Sequence, residues 1–304
     1  MNEREAKLKD VFDPAVVDFY AAYTSFLLSQ LVAILCILLT RRLPMSYTHI
    51  KFSKQGPIAR IQLDRPDAAN GLDTQMAVEL KQAAGQCDSD AEIKVVILCA
   101  EGRFFCAGGD IKEFSSKGET VGEAVKSLAV DLHAAISILT RMQAALIVAV
   151  NGIAAGAGFS LALIGDIVLA AESSSYTMAY TRAGLCPDGS SSYFLPRLVG
   201  LRKAQELMLT NRTLSATEAC ELGIATRVVA DDELAAQTGQ LAQELASAAR
   251  LSTAYVKKLL LASSENNLES QMDLETQLVS ICAASPDGRE GIQAFVEKRK
   301  PEFS

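Results

Sequence analysis

The sequence predicts an α/β protein, a layered core of strands and helices followed by a helical C-terminal part. Three observations predict it. Short apolar runs at Lys94–Cys99, Leu146–Val150 and Asp166–Ala171 read as strands buried on both faces. Between them, longer stretches place apolar residues at helical spacing. Strands come early in the chain, and helical patterns dominate after about residue 200.

Taken in order, the first feature is the uncharged stretch 19–40, FYAAYTSFLLSQLVAILCILLT. As a helix it would be roughly 33 Å long, against a hydrocarbon core of roughly 30 Å. Asp10, Asp13 and Asp18 precede it and Arg41-Arg42 follow it, which would keep the following domain on the cytoplasmic side. Thr24, Ser25, Ser29 and Gln30 dilute it. Two readings stay open: a transmembrane anchor at 19–40, or an extension upstream of a domain that opens at Met45. The expected division is residues 1–44, a core over 45–240 and a helical region over 241–304.

In 57–63, Ala59, Ile61 and Leu63 alternate with Ile58, Arg60 and Gln62, the period of a strand. Asp64-Arg65-Pro66-Asp67 is the turn after it. Met76, Leu80, Ala83, Ala84 and Cys87 mark a helix over 74–87, and longer helical patterns occupy 121–142 and 233–250. Ser215-x-x-Glu218 reads as a capping box, with Gly223 as the stop of its helix; Asp287-x-x-Glu290 is a looser variant.

Composition removes several function classes. The 304 residues are 49% hydrophobic and 21% charged, as in a globular protein. Lys and Arg number 29 and Asp and Glu 36, a net of 29 − 36 = −7, which disfavours a phosphate-tracking nucleic-acid binder. Seven cysteines form no CxxC pair, so a disulfide framework is not expected and a reducing, cytoplasmic compartment is. The two histidines, His49 and His133, sit in no motif, which argues against a metal site and against a Ser-His-Asp hydrolase.

Three glycine-rich turns carry the candidate chemistry: Phe104–Ile111 (FFCAGGDI), Asn151–Gly158 (NGIAAGAG) and Gly184–Ser192 (GLCPDGSSS). Small residues let backbone approach a ligand, and N–H groups at such turns can hold an anionic oxygen. None matches a dinucleotide or P-loop fingerprint.

The segments FFCAGGDIKEF, IVAVNGIAAGAGFSLALIGDIVLAAE, PDGSSSYFLPRLVG and REGIQAFVEKRKPEF together resemble the enoyl-CoA hydratase/isomerase, or crotonase, superfamily over about residues 46–303. The resemblance implies a crotonase fold, a spiral of ββα units with a helical C-terminal trimerisation region, and a homotrimer or hexamer. It implies an acyl-CoA thioester as substrate and no cofactor beyond the coenzyme A the substrate carries. On matching positions it puts the two oxyanion donors on the amides of Ala107 and Ala157, with Gly108, Gly109 and Asp110 beside the first, where CoA binds. Hydratases of the family use two glutamates, and those positions here are Ser160 and Tyr180. Asp188 stands where the isomerase-like branch carries its aspartate, and the wording around it is similar to ring-epoxyphenylacetyl-CoA isomerases and enoyl-CoA isomerases. Ser190-Ser191 follows where the family often has Gly-Gly.

What this implies is an acyl-CoA isomerase that moves a double bond or rearranges an acyl group through a thioester enolate, with Asp188 as proton shuttle. Phe105, Phe159, Ser160, Tyr180 and Leu185 are the expected pocket residues. Read without the resemblance, Pro187-Asp188-Gly189 is an ordinary turn tripeptide, Tyr180 a packing residue and Cys106 a small apolar filler. An atypical hydratase using Asp188 and water, and a catalytically silent acyl-CoA-binding protein, are the two alternatives.

Overall fold

The computed structural model describes residues 46–304, and residues 47–304 form one compact unit. The apolar stretch 19–40 lies outside the described residues. Among the described residues no helix is long and apolar enough to cross a membrane.

Six strands form the main sheet: β1 (Ile50–Gln55), β2 (Ile58–Leu63), β3 (Val95–Ala100), β5 (Ala145–Val150), β7 (Ile167–Ala171) and β10 (Arg227–Val229). They lie in the order β1-β2-β3-β5-β7-β10, with β1 and β2 antiparallel and every later pair parallel. The central strands are apolar throughout because both faces are covered. Val96, Leu98, Leu146 and Val148 point to one side, against α1 (Thr74–Ser89) and α3 (Val121–Arg141). Val95, Ile97, Cys99, Ala145, Ile147 and Ala149 point to the other, against Leu234, Leu241 and Ala242 of α8 (Leu234–Ala246).

A second sheet has the order β4-β6-β8-β9: β4 (Phe104–Cys106), β6 (Ile153–Ala155), β8 (Ser175–Thr177) and β9 (Leu214–Ser215). Strands β3, β5 and β7 each hand on to β4, β6 and β8 within a few residues. This repeated two-strand step sets the ends of β4 and β6 side by side, and their turns lead into α2 (Ile111–Ser116) and α4 (Ala157–Leu163). Helices α5 (Ser191–Val199), α6 (Leu201–Thr210) and α7 (Ala216–Glu221) follow.

Two carboxylates show how the frame is tied. Glu79 of α1, 1% exposed, accepts the amides of Thr48, His49 and Ile50 at 2.8–3.0 Å, closing the lead-in to β1. Asp166 pairs with Lys257 at 2.8 Å, and Lys257 also donates to the carbonyl of Ala144 at 2.8 Å. That bolts α9 (Arg250–Ala262) to the sheet.

The α/β core and the helical C-terminal part are as the pattern predicts, with local differences. The helix expected over 233–250 is two: α8 ends at Ala246 and α9 opens at Arg250. The capping box at Ser215 forms in full, and Gly223 is left-handed at φ +76° beyond α7. Asp287, however, is not a cap. Pro286 opens α11 (Pro286–Glu297), the cap is Ser285, and Glu290 pairs with Arg299 after α10 (Leu268–Ala284). Proline is favoured in the first helical turn, which moves the start two residues earlier.

Candidate active site

The first turn leaves β4 at Cys106. Gly108 has φ +98°, and a Cβ there would lie 2.9 Å from the Ala155 carbonyl oxygen, so only glycine lets the two turns meet. The same imagined Cβ lies 3.6 Å from the Ala157 nitrogen, which places the second turn alongside the first. The backbone is pinned by Leu72: its N–H donates to Gly108 at 2.7 Å, and its carbonyl accepts from Asp110 at 2.8 Å.

This pinning corrects one expectation. The Ala107 N–H donates to the Ala69 carbonyl at 3.0 Å and is therefore not an available oxyanion donor. The N–H groups of Gly108 and Gly109 find no acceptor among the described residues, and that of Gly109 sits between the two bonds made to Leu72. The Ala157 N–H, on the first residue of α4, likewise finds none. Sequence reasoning missed that the Ala107 amide is taken, because its partner comes from a loop far away in the chain.

Asp110 is also held by the protein. It caps α2 through the amides of Lys112 and Glu113 and pairs with Arg65 at 3.0 Å. Burial raises its pKa, but these amides and the Arg65 guanidinium outweigh that and hold the carboxyl below its usual range. It braces the turn.

The second group of side chains gathers behind α4. Ser160 is fully buried, one helical turn beyond Ala157. Its Oγ lies 2.9 Å from the Tyr180 hydroxyl and donates to the Asp188 carbonyl oxygen at 2.9 Å. Tyr180 starts a 3-10 turn (Tyr180–Ala183) after β8, and its hydroxyl donates to Asp188 Oδ1 at 2.6 Å. Burial and the neighbouring Asp188 charge push the phenol well above its usual range. Asp188 Oδ2 faces His133 of α3, 3.8 Å from Nε2, and the Gly189 N–H donates to that same Nε2 at 3.1 Å. Ser160, Tyr180 and Asp188, expected at the site, thus converge, and His133 joins them. Nothing in the local spacing singled out His133, which lies in the regular pattern of α3.

Gly189 and Ser190 both take left-handed backbone, φ +58° and +67°, so Ser190 holds the conformation that glycine adopts freely. A cavity of about 460 Å³ opens beside Asp188, with His133, Ile136, Ser190, Phe194 and Leu261 on its walls.

Two expected pocket residues are elsewhere. Phe105 and Phe159 are 0% and 1% exposed in the main core, and Phe159 packs on Tyr176 with ring centroids 5.4 Å apart. Side chains with no accessible surface are core residues, not walls of an open cleft. Leu185 is exposed at the surface. Cys106 is buried, and burial pushes its thiol up to about 12, which fits a filler. Among the described residues no cluster of His, Cys, Asp and Glu is arranged to hold a metal ion.

Two turns thus meet with free amides, and Ser160, one helical turn past the second, contacts Asp188; comparison with known proteins gives the class of the chain. The enoyl-CoA hydratase/isomerase family model matches residues 53–304. The 1,2-epoxyphenylacetyl-CoA isomerase of Escherichia coli is 35% identical over 251 residues, 81% of this chain and 95% of the relative. A 4-chlorobenzoyl coenzyme A dehalogenase of an Arthrobacter species is 32% identical over 82% of this chain and 91% of the relative. The crystal structure of an enoyl-CoA hydratase from Bacillus anthracis superposes with a TM-score of 0.80 at 31% identity, covering 84% of this chain and 99% of that one.

The chain belongs to the enoyl-CoA hydratase/isomerase family and has the crotonase fold. It is an acyl-CoA-processing enzyme of that family, whose relatives include isomerases, hydratases and dehalogenases.

Proposed function

We propose that the chain is an acyl-CoA isomerase that works through a thioester enolate. The observation that carries the reading is Asp188, whose carboxylate accepts from the Tyr180 hydroxyl and whose backbone carbonyl accepts from Ser160, with no second acid in hydrogen-bond contact among the described residues. The amides of Gly109 and Ala157 receive the thioester oxygen as charge develops on it; donors of this kind are worth roughly 3 kcal/mol each. Asp188 removes a proton from one carbon of the acyl group and returns it to another, so the double bond moves and the carboxylate is regenerated. The 460 Å³ cavity beside Asp188 takes the acyl group. The reaction only relocates a proton and asks for no cofactor beyond the CoA of the substrate.

Exposed apolar side chains on the C-terminal helices, among them Leu260, Val279, Phe295 and Val296, support assembly as a homotrimer or hexamer. The free cysteines of the described residues support a reducing, cytoplasmic setting.

The test is a screen of linear 3-enoyl-CoAs and aryl-acetyl-CoA epoxides in D2O. A shifted double bond with deuterium at the exchanged carbon is expected, and Asp188→Asn is expected to lose about 10²- to 10⁴-fold in rate. A second reading, an atypical hydratase, draws on the 3.8 Å gap between His133 Nε2 and Asp188 Oδ2, a place where the two could share a water. A 3-hydroxyacyl product from a 2-enoyl-CoA would favour it. Binding of acyl-CoA with no turnover of any substrate would overturn both.

A further inference from the structure

The two oxygens of Asp188 are not equivalent. Oδ1 accepts from the Tyr180 hydroxyl at 2.6 Å, whereas no donor among the described residues reaches Oδ2. His133 Nε2 faces Oδ2 at 3.8 Å, but its lone pair already receives the Gly189 N–H at 3.1 Å. In that tautomer the neutral ring has no proton to give to Oδ2. We propose that Tyr180 is a positioning residue: it anchors Oδ1 and stops the carboxylate from turning, so that Oδ2 alone carries the proton.

The surroundings fit this division. Tyr180 is 8% exposed. With its phenol pushed upward by burial and by the Asp188 charge, it stays protonated and remains a donor wherever Asp188 is ionised. Ser160 Oγ, 2.9 Å from both the phenol oxygen and the Asp188 carbonyl oxygen, gives its one proton to that carbonyl and packs against the phenol. Ser191 Oγ donates to that carbonyl as well, at 2.8 Å. Around the carboxylate, the 3-10 turn presents Tyr180 and α3 presents His133. Arg141 and Glu265 stand on the wall of the cavity beside it. A hydrogen bond to the charged form of a carboxylate favours that form. Tyr180 therefore fixes the direction of the charged carboxylate.

The inference rests on the proton-shuttle reading, and the experiment separates the two. The wild type, Tyr180→Phe, Ser160→Ala and Asp188→Asn are compared in two ways. In the first, α-proton exchange is followed on the acyl-CoA that the wild type turns over; in the second, kcat and KM are measured separately on the same substrate. Losing the bond to Oδ1 frees the carboxylate to turn, so kcat in Tyr180→Phe falls about tenfold while KM stays within about twofold. Ser160→Ala lowers kcat by a smaller factor, about threefold, at unchanged KM, and carries the test if Tyr180→Phe does not fold. An unchanged kcat in a folded Tyr180→Phe, or in Ser160→Ala when it stands in, overturns the positioning role. If Asp188→Asn is inactive at the same time, the shuttle reading survives. An Asp188→Asn that exchanges protons as fast as the wild type overturns the shuttle reading itself, and with it the task given to Oδ2.

Discussion

Replacing Gly158 by alanine tests how the two amide-bearing turns are held together. A Cβ at Gly158 would lie 2.1 Å from the Cys106 carbonyl oxygen and 2.7 Å from the Cys106 carbonyl carbon. An ordinary carbon-to-oxygen contact is about 3.3 Å, so α4 and β4 must separate by roughly 1.2 Å. The obstacle is backbone, which gives way less easily than a side chain, and overpacking of this kind costs about 3 kcal/mol. Ala157 is the adjoining residue, so its amide shifts by about as much relative to Gly109. A misplacement near 1 Å costs on the order of 10²-fold in rate, the same as losing one oxyanion donor. Urea denaturation measures the first effect and α-proton exchange of an acyl-CoA the second. Gly85→Ala is the control. Nothing lies within 4 Å of its Cβ, and in the interior of α1 it should stabilise by up to about 1 kcal/mol. If Gly158→Ala stays within about 0.5 kcal/mol of the wild type and keeps its exchange rate, close approach of these turns does not build the site.

Two further outcomes follow from buried groups. Burial raises the Glu79 pKa, but Gln75 and the amides of Thr48 and His49 outweigh it and bring the carboxyl below its ordinary 4.5. Its contribution is therefore complete above pH 4.5 and is lost as pH falls through the lower folded value. Glu79→Ala should cost about 3 kcal/mol at neutral pH, and the gap to the wild type should narrow in acid; denaturation midpoints measured across pH would show a constant gap if the reasoning fails. Burial pushes the thiols of Cys87 and Cys106 up to about 12, whereas Cys186 is exposed. Alkylation of the native protein at pH 8 should label Cys186 and spare Cys87 and Cys106, as peptide mapping would reveal; early labelling of Cys106 would contradict its placement.

Much of the frame was legible residue by residue. The alternation in 57–63 became β2, with Ala59, Ile61 and Leu63 inward. The apolar runs became β3, β5 and β7, whose two sets of side chains pack on opposite helical layers. Ser160, Tyr180 and Asp188, named from the resemblance, do converge. The differences share one cause, which is that a turn motif does not say which of its groups is already in use. Ala107 looked available until the Ala69 carbonyl took its N–H, and Asp110 until Arg65 and the start of α2 claimed its carboxylate. Phe105 and Phe159 flank the turns in sequence, but strand and helix geometry turn their rings into the core.

By itself, the sequence determined the layer arrangement and the glycine positions that allow backbone contact. Those features depend on local period and on side-chain size, which neighbours along the chain express. Only the tertiary structure decided that the Ala107 amide is taken, that His133 stands opposite Asp188, and that Tyr180 rather than a cation grips its first oxygen. Each of these is a short-range polar contact between segments distant in sequence. Hydrogen bonds act over about 3 Å and depend on direction, so their partners exist only once the chain has folded.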